Sequence, residues 1–180
     1  MNTKEIEKLG LQALVEYLKG KFNDRFELSD IRNAGNIEKK FGCDLILKID
    51  DQEYFVELKA SLATALPTNI RFTHQTLATM YNAGVLHNMI VVFVYNLAEG
   101  LANAKFKFFR FGDFKPDQII VEPHFIVQPI QTIRNAEASG AESPIKDSLG
   151  AVLENKSSHY DIGEVFQSSV SDHMKLRRNI

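Results

Sequence analysis

Apolar residues return at helical spacing near the start of the chain. The pattern stops at Gly20, and Glu5 and Glu7 stand near its beginning. Thr3 precedes the run and has the side chain that often caps a helix N-terminus. The pattern therefore predicts an N-terminal helix that starts at about Thr3 and packs one apolar stripe inward. The residues of this stripe are Ile6, Leu9, Ala13, Leu14, Tyr17 and Leu18.

Two runs of alternating apolar and polar residues follow between positions 44 and 61. Asp50 and Asp51 separate the runs and form a short polar bend. Alternation with a period of two on both sides of such a bend predicts an antiparallel hairpin. With the two aspartates as the turn, Lys48 faces Glu53, which is a favourable cross-strand pair. One face of the hairpin is then apolar and carries Leu45, Leu47, Tyr54, Val56 and Leu58.

The same register brings three charged side chains together on the opposite face. Asp44 faces Glu57, and Lys59 shares the face of Glu57 because side chains alternate along a strand. Charged residues on a strand are often simply solvated. Here the facing Asp44, the apolar back of the hairpin and the preceding helix favour a functional site formed by these three residues.

The middle of the chain completes a predicted α/β unit. Thr73 caps a helix that runs to about Gly84, and residues 89–95 form an apolar run of the kind found in fully buried strands. A crossover from the Glu57 strand through this helix predicts a parallel neighbour, placed at the sheet centre. Residues 105–111 alternate lysines with phenylalanines, which favours an edge strand protected by lysine, with phosphate tracking as the alternative. The fold class predicted is α/β, with a central mixed β-sheet flanked by helices.

The character of the sequence changes after about Ile133. Residues 134–161 are rich in Ser, Ala, Asn and Glu and predict a long functional loop or a partly mobile connection. Residues 162–178 predict a helix ending in basic residues. We therefore divide the chain into a core, residues 1–133, and a C-terminal loop and helix, residues 134–180. The second part belongs either to the same domain or to an extension for dimerisation or DNA contact.

Composition limits the class of protein. The chain has 180 residues, 44% of them hydrophobic and 24% charged, with a net charge of −2 and one cysteine, Cys43. These values predict an ordered domain in the reducing cytoplasm, without an internal disulfide. No apolar run in the sequence is long enough to span a bilayer, and no membrane association is expected. Neither a glycine-rich phosphate loop nor a G-x-S-x-G elbow is present, so nucleotide hydrolysis and serine hydrolase chemistry lose support.

The three converging charged groups indicate metal-dependent phosphate chemistry. Two neighbouring carboxylates repel each other unless a cation lies between them. Mg²⁺ binds through one or two carboxylates together with water and phosphate oxygens, so Asp44 and Glu57 are candidate metal ligands, with the carbonyl of Leu58 as a third. Lys59 is placed to orient water or to stabilise charge on a phosphate. The arrangement suits hydrolysis of a phosphodiester.

Asp44 followed by Glu57-Leu58-Lys59, behind an N-terminal helix, resembles the PD-(D/E)xK nuclease superfamily. The segment DLILKIDDQEYFVELKAS is most similar to Mrr-like and related restriction nucleases, and the order of elements matches over about residues 5–95. The resemblance implies a restriction-endonuclease-like fold and cleavage of DNA with Mg²⁺, or Mn²⁺ as a substitute, with Asp44, Glu57 and Lys59 as catalytic residues. The family helix often supplies a Glu, and the best-aligned residue here is Gln12. Cys43 replaces the proline of the motif.

Further residues are candidates for substrate binding. Ser61 and Arg71 flank the loop after Lys59 and have side chains that bind phosphate, and Gln75 is either a solvated helix residue or a substrate contact. Asn36 lies in the polar stretch 29–42, which is predicted to be a loop or short hairpin beside the site.

The function expected from the sequence is a Mg²⁺-dependent restriction-type endonuclease acting on duplex DNA as a homodimer, without an organic cofactor. One alternative is a nuclease for RNA or branched DNA. Another is a catalytically silent binding or assembly subunit of the same fold.

Overall fold

The chain is built around a mixed five-stranded sheet, in a computed structural model that describes residues 1–32, 35, 40–120 and 124–154. The α/β class and the mixed sheet flanked by helices are thus confirmed. The helices are α1 (Thr3–Phe22), α2 (His74–Asn82), α3 (Pro129–Ser139) and α4 (Leu149–Glu154). The strands are β1 (Phe26–Asp30), β2 (Leu45–Ile49), β3 (Gln52–Ala60), β4 (Ile70–Phe72), β5 (Ile90–Tyr95), β6 (Lys105–Arg110), β7 (Ile119–Ile120) and β8 (Phe125–Val127).

The five-stranded sheet has the order β1-β2-β3-β5-β6, and a small second sheet has the order β4-β8-β7. β3 and β5 are parallel, and the other neighbours pair antiparallel. The predicted parallel crossover is therefore confirmed. The chain passes through β4 and α2 on its way from β3 to β5. β3, not β5, occupies the middle of the sheet.

β2 and β3 form the predicted hairpin in the predicted register. Asp50 and Asp51 have φ angles of 47° and 69°, which is the positive-φ pair that a two-residue hairpin turn requires. Lys48 pairs with Glu53, as expected from their charges. The ladder fixes which side chains of β3 point to each face of the sheet, and this sets the position of the site.

Apolar side chains cover both faces of the sheet. On one face, α1 packs against the apolar back of the hairpin and alternate residues of β5. On the other face, α2 and the small sheet bury Val91, Phe93 and Phe109. β5 has apolar residues on both sides, and five of its six residues are buried. Glu57 and Lys59 therefore lie on the second face, next to its buried apolar centre, while the Lys48–Glu53 pair lies towards the hairpin turn on the same face.

Several predicted elements differ from the structure. Asn2, not Thr3, caps α1 in a capping box with Glu5, and α1 extends past Gly20 to Phe22. Part of the stretch predicted as a loop, 29–42, belongs to β1, which pairs with β2 at the sheet edge. β6 is at the other edge, as favoured, but it places phenylalanines on both faces, since Phe108 and Phe109 are both buried.

The C-terminal part also differs. A helix, α3, occupies positions where a loop was predicted from residue 134, and α4 follows it. Residues 141–154 reach the core: Lys146 forms a backbone bridge with Phe108, and the Leu149 N–H donates to the Tyr17 hydroxyl at 3.1 Å. The predicted helix at 162–178 lies outside the described residues. Among the residues described, none of the helices has both the length and the apolar character needed to cross a membrane.

Candidate functional site

Asp44 is held in place by backbone contacts on both sides. Its N–H donates to the Val56 carbonyl at 3.1 Å, and its carbonyl accepts the Ile31 N–H at 2.9 Å. Its side-chain Oδ2 accepts the Leu58 N–H at 2.9 Å. The chain approaches through Gly42, which has a φ of 68° and lies so close to α2 that a Cβ there would be 3.1 Å from the Thr79 Cβ. The Asp44 carboxylate is thus fixed beside the middle strand.

Glu57 lies almost completely inside the protein. It is 6% exposed and stands opposite Val91 in the parallel ladder. Lys59 Nζ donates to Glu57 Oε1 at 2.7 Å, and the Lys59 side chain is 33% exposed. The charge of Asp44 also acts on Glu57, and the two side chains line the same two cavities. The structure therefore brings together the three residues that the sequence placed on one face.

The Lys59 ammonium does not compensate for the burial of the two carboxyl groups, Asp44 and Glu57. Burial, with the nearby charge and hydrogen bond of Asp44, raises the pKa of Glu57 to about 7 against the lowering effect of Lys59. Burial also raises the pKa of Asp44, although the Leu58 N–H and Lys59 act in the opposite direction. Two neighbouring carboxylates repel each other when both are ionised. The pair thus favours either a retained proton or an additional cation.

Two cavities meet at these carboxyl groups, because Asp44 and Glu57 line both of them. One has a volume of about 530 Å³ and also contains Lys59 and Arg71 in its wall. The other has a volume of about 600 Å³ and is bordered by the polar face of α2. The α2 residues in its wall are Gln75, Thr76 and Thr79, preceded by the N-cap Thr73. A cleft that extends on both sides of the carboxylates can receive a chain that passes over them.

The remaining candidate residues have different positions. Ser61 and Arg71 line the first cavity, and Gln75 lines the second, so all three lie beside the carboxylates. Gln12 is exposed on α1 and, within the described part of the chain, is not in the wall of either cavity. Asn36 lies outside the described residues.

α1 instead brings Glu7 to the cleft, a residue that the sequence analysis did not select. Glu7 lines the first cavity and its charge acts on Asp44. Arg32 lies near it, with Nη1 3.8 Å from Glu7 Oε2. The helix reaches this position because Gly10, one turn later, packs directly on β3: a Cβ at Gly10 would be 2.6 Å from the Cβ of Ala60. The sequence contained one sign of this arrangement: Gly10 lies on the apolar side of the predicted helix, one turn after Glu7.

The residues present fit a hard divalent cation. Carboxylate oxygens are the side-chain ligands that Mg²⁺ prefers, and it completes its shell with water and phosphate oxygens. Leu58 lines the cavity, and its N–H is already bonded to Asp44, so its carbonyl as a third ligand stays a prediction. Among the described residues, no cluster of three or more His, Cys, Asp or Glu side chains is arranged around a metal position. Asp44 and Glu57 would therefore be the side-chain ligands.

No family model, curated protein or solved structure matches the chain. The resemblance to the PD-(D/E)xK superfamily and the restriction-endonuclease-like fold accordingly stay predictions. The positions of Asp44, Glu57 and Lys59 are the basis for assigning a function.

Proposed function

We propose that this protein is a Mg²⁺-dependent endonuclease that hydrolyses phosphodiester bonds in duplex DNA, of the restriction type. One observation supports this above all. Asp44 and Glu57 both line the two cavities, and the Lys59 ammonium lies 2.7 Å from Glu57. Two carboxylates and an ammonium in an open cleft are the groups that metal-assisted phosphate hydrolysis uses.

Each of these side chains has a distinct task in the proposal. Asp44 and Glu57 hold the ion, which when bound neutralises charge on the scissile phosphate and makes water a better nucleophile. Lys59 has three N–H donors and uses one on Glu57, so the other two are available for the attacking water and for negative charge developing on the phosphate. Arg71, exposed in the cavity wall, is placed to bind a neighbouring phosphate.

The overall charge of −2 is mild for a nucleic-acid-binding protein. The wall of the first cavity carries the cations Lys59 and Arg71 together with the acids Glu7, Asp44 and Glu57, so phosphate binding there depends on a bound cation. Part of the total negative charge comes from Asp44 and Glu57, which an ion would neutralise. A homodimer would place two such clefts across the strands of a symmetric duplex.

Digestion of supercoiled plasmid with Mg²⁺, Mn²⁺ or EDTA tests the proposal. We expect cleavage with either ion and none with EDTA. Lys59→Ala should abolish cleavage but preserve duplex binding, measured by fluorescence anisotropy in Ca²⁺. Lys48→Ala is the matched control, because Lys48 lies on the same hairpin, is 43% exposed and pairs with Asp51 at the turn. This control should retain full activity.

The same experiment separates the alternatives. Preferential cleavage of RNA or of branched DNA by the wild type, lost in Lys59→Ala, would assign a different nucleic-acid substrate to the same chemistry. Tight duplex binding by the wild type without cleavage of any substrate in Mg²⁺ or Mn²⁺ would assign a catalytically silent binding subunit. The ends of plasmid fragments distinguish specific cutting from general degradation.

A further inference from the structure

Lys59 has a second neighbour that no part of the proposed reaction uses. Its Nζ lies 5.3 Å from the centroid of the Phe72 ring, on the ring face. Phe72 is the last residue of β4, in the small sheet, and is far from Lys59 in sequence. A cation over an aromatic face is attracted by the negative potential of the ring. The ammonium is therefore held between a carboxylate on its own strand and a ring from another sheet.

The Phe72 ring itself has little freedom to move. It is 2% exposed, and Phe111 packs against it edge to face, with ring centroids 5.0 Å apart and an angle of 75°. Its strand is paired through Phe125 in β8. Lysine has a long flexible stem, so the direction of its ammonium depends on contacts at its tip. Phe72 supplies a fixed contact of this kind.

The two contacts of Lys59 respond differently when the site is in use. The attraction between Lys59 and Glu57 depends on the negative charge of Glu57. When the Glu57 carboxylate also binds a cation, its attraction for the Lys59 ammonium becomes weaker. The ring is neutral, so its attraction for the ammonium does not decrease in the same way. From this we infer that Phe72 is a positioning residue for Lys59, keeping the ammonium at the cleft during the reaction. The inference rests on the proposed function.

The arrangement is testable without any activity. Protons above an aromatic face are shifted upfield by the ring current, so the ε-methylene protons of Lys59 should be shifted upfield in the NMR spectrum of the metal-free protein. Phe72→Leu should remove this shift. Phe125→Leu is the matched control, since Phe125 is equally buried and directly opposite Phe72 in the ladder, and it should leave the shift in place.

The catalytic consequence is tested with fluorinated phenylalanines at position 72. Successive fluorines weaken the negative potential of the ring face and change its size little. We expect the plasmid cleavage rate to fall steadily along the series from phenylalanine to the 3,4,5-trifluoro form, by about threefold or more in total. The same series at position 125 should give a constant rate.

Two failures are distinguishable. If the rate is unchanged across the series at position 72, or if the Lys59 protons show no upfield shift, Phe72 does not position Lys59. If the wild type cleaves no nucleic acid with Mg²⁺ or Mn²⁺, the proposed function fails, and the spectrum alone then decides whether the ring holds the ammonium.

Discussion

The burial of Glu57 predicts that its carboxylate lowers the stability of the metal-free fold. Its pKa is about 7 in the folded protein, against an ordinary value of 4.5. Because the folded state holds the proton more tightly, the ionised form is disfavoured on folding. Below pH 4.5 the group is protonated in both states and costs nothing. Stability falls as the pH rises towards 7, and above pH 7 the full penalty is present.

The pKa difference sets the magnitude. Each pKa unit corresponds to about 1.4 kcal/mol, so the penalty above pH 7 is about 3 kcal/mol. Glu57→Gln resembles the protonated form and cannot ionise. At pH 8 and in EDTA, this variant should be more stable than the wild type by about 3 kcal/mol, or roughly 6–12 °C in Tm for a domain of this size. At pH 4.5 the two proteins should differ by less than about 0.5 kcal/mol.

Urea unfolding in EDTA at several pH values measures this difference. Glu53→Gln, an exposed change on the same strand, is the control and should have little effect at any pH. Adding Mg²⁺ should stabilise the wild type by mass action and reduce the gap, while Glu57→Gln should respond weakly. A variant that is less stable than the wild type at pH 8, or whose advantage is the same at pH 4.5 and pH 8, would refute the reasoning.

Three further predictions concern the helix and the pH response. Gly10→Ala should destabilise the fold by about 1–3 kcal/mol in thermal unfolding, because the added Cβ overpacks the contact with β3. Gly20→Ala has nothing within 4 Å of the added Cβ and should stabilise the fold by up to about 1 kcal/mol. Glu7→Gln should reduce Mg²⁺-dependent cleavage about tenfold or more, and Gln12→Ala should not; equal rates in both variants would exclude Glu7 from the site. At limiting Mg²⁺, cleavage by the wild type should rise as the pH passes through about 7, because Glu57 must lose its proton to bind the ion, and a flat profile under these conditions would contradict this.

The hairpin was predictable because its information is local. The two-residue turn at Asp50 and Asp51 and the alternation around it determine the register, and the register alone brings Asp44 to Glu57. β1 was missed for the opposite reason. As an edge strand it has no fully buried residue, and its partly buried Phe26 and Leu28 form too short a pattern to recognise. α3 was missed because its buried positions are Pro129, Thr132 and Ala136, without a large apolar stripe.

The sequence pointed to Gln12 rather than Glu7 as the α1 residue at the cleft, for a different reason. Side chains rotate by about 100° per residue along a helix, so Glu7 is close to the direction of Gly10, and Gln12 points about 200° away from it. Which direction faces the cleft depends on how α1 crosses β3. That crossing is set by the contact between Gly10 and Ala60, which joins residues fifty positions apart. Helical periodicity identified the apolar stripe but carried no information about this contact.

A buried ion pair elsewhere in the described residues shows how the Glu57 site differs from an ordinary structural pair. Arg110 and Asp113 are 9% and 5% exposed, and Arg110 Nε lies 3.2 Å from Asp113 Oδ2, so a cation and an anion are adjacent there. At the site, the Lys59 ammonium interacts with both the Asp44 and the Glu57 carboxyl groups, next to the buried apolar part of the sheet face. A purely structural role would be served better by apolar residues there, since replacing a buried ionic group with well-packed apolar side chains is often stabilising. An unbalanced pair of carboxylates in an open cleft lowers stability until another cation joins it, which is the property expected of a metal site.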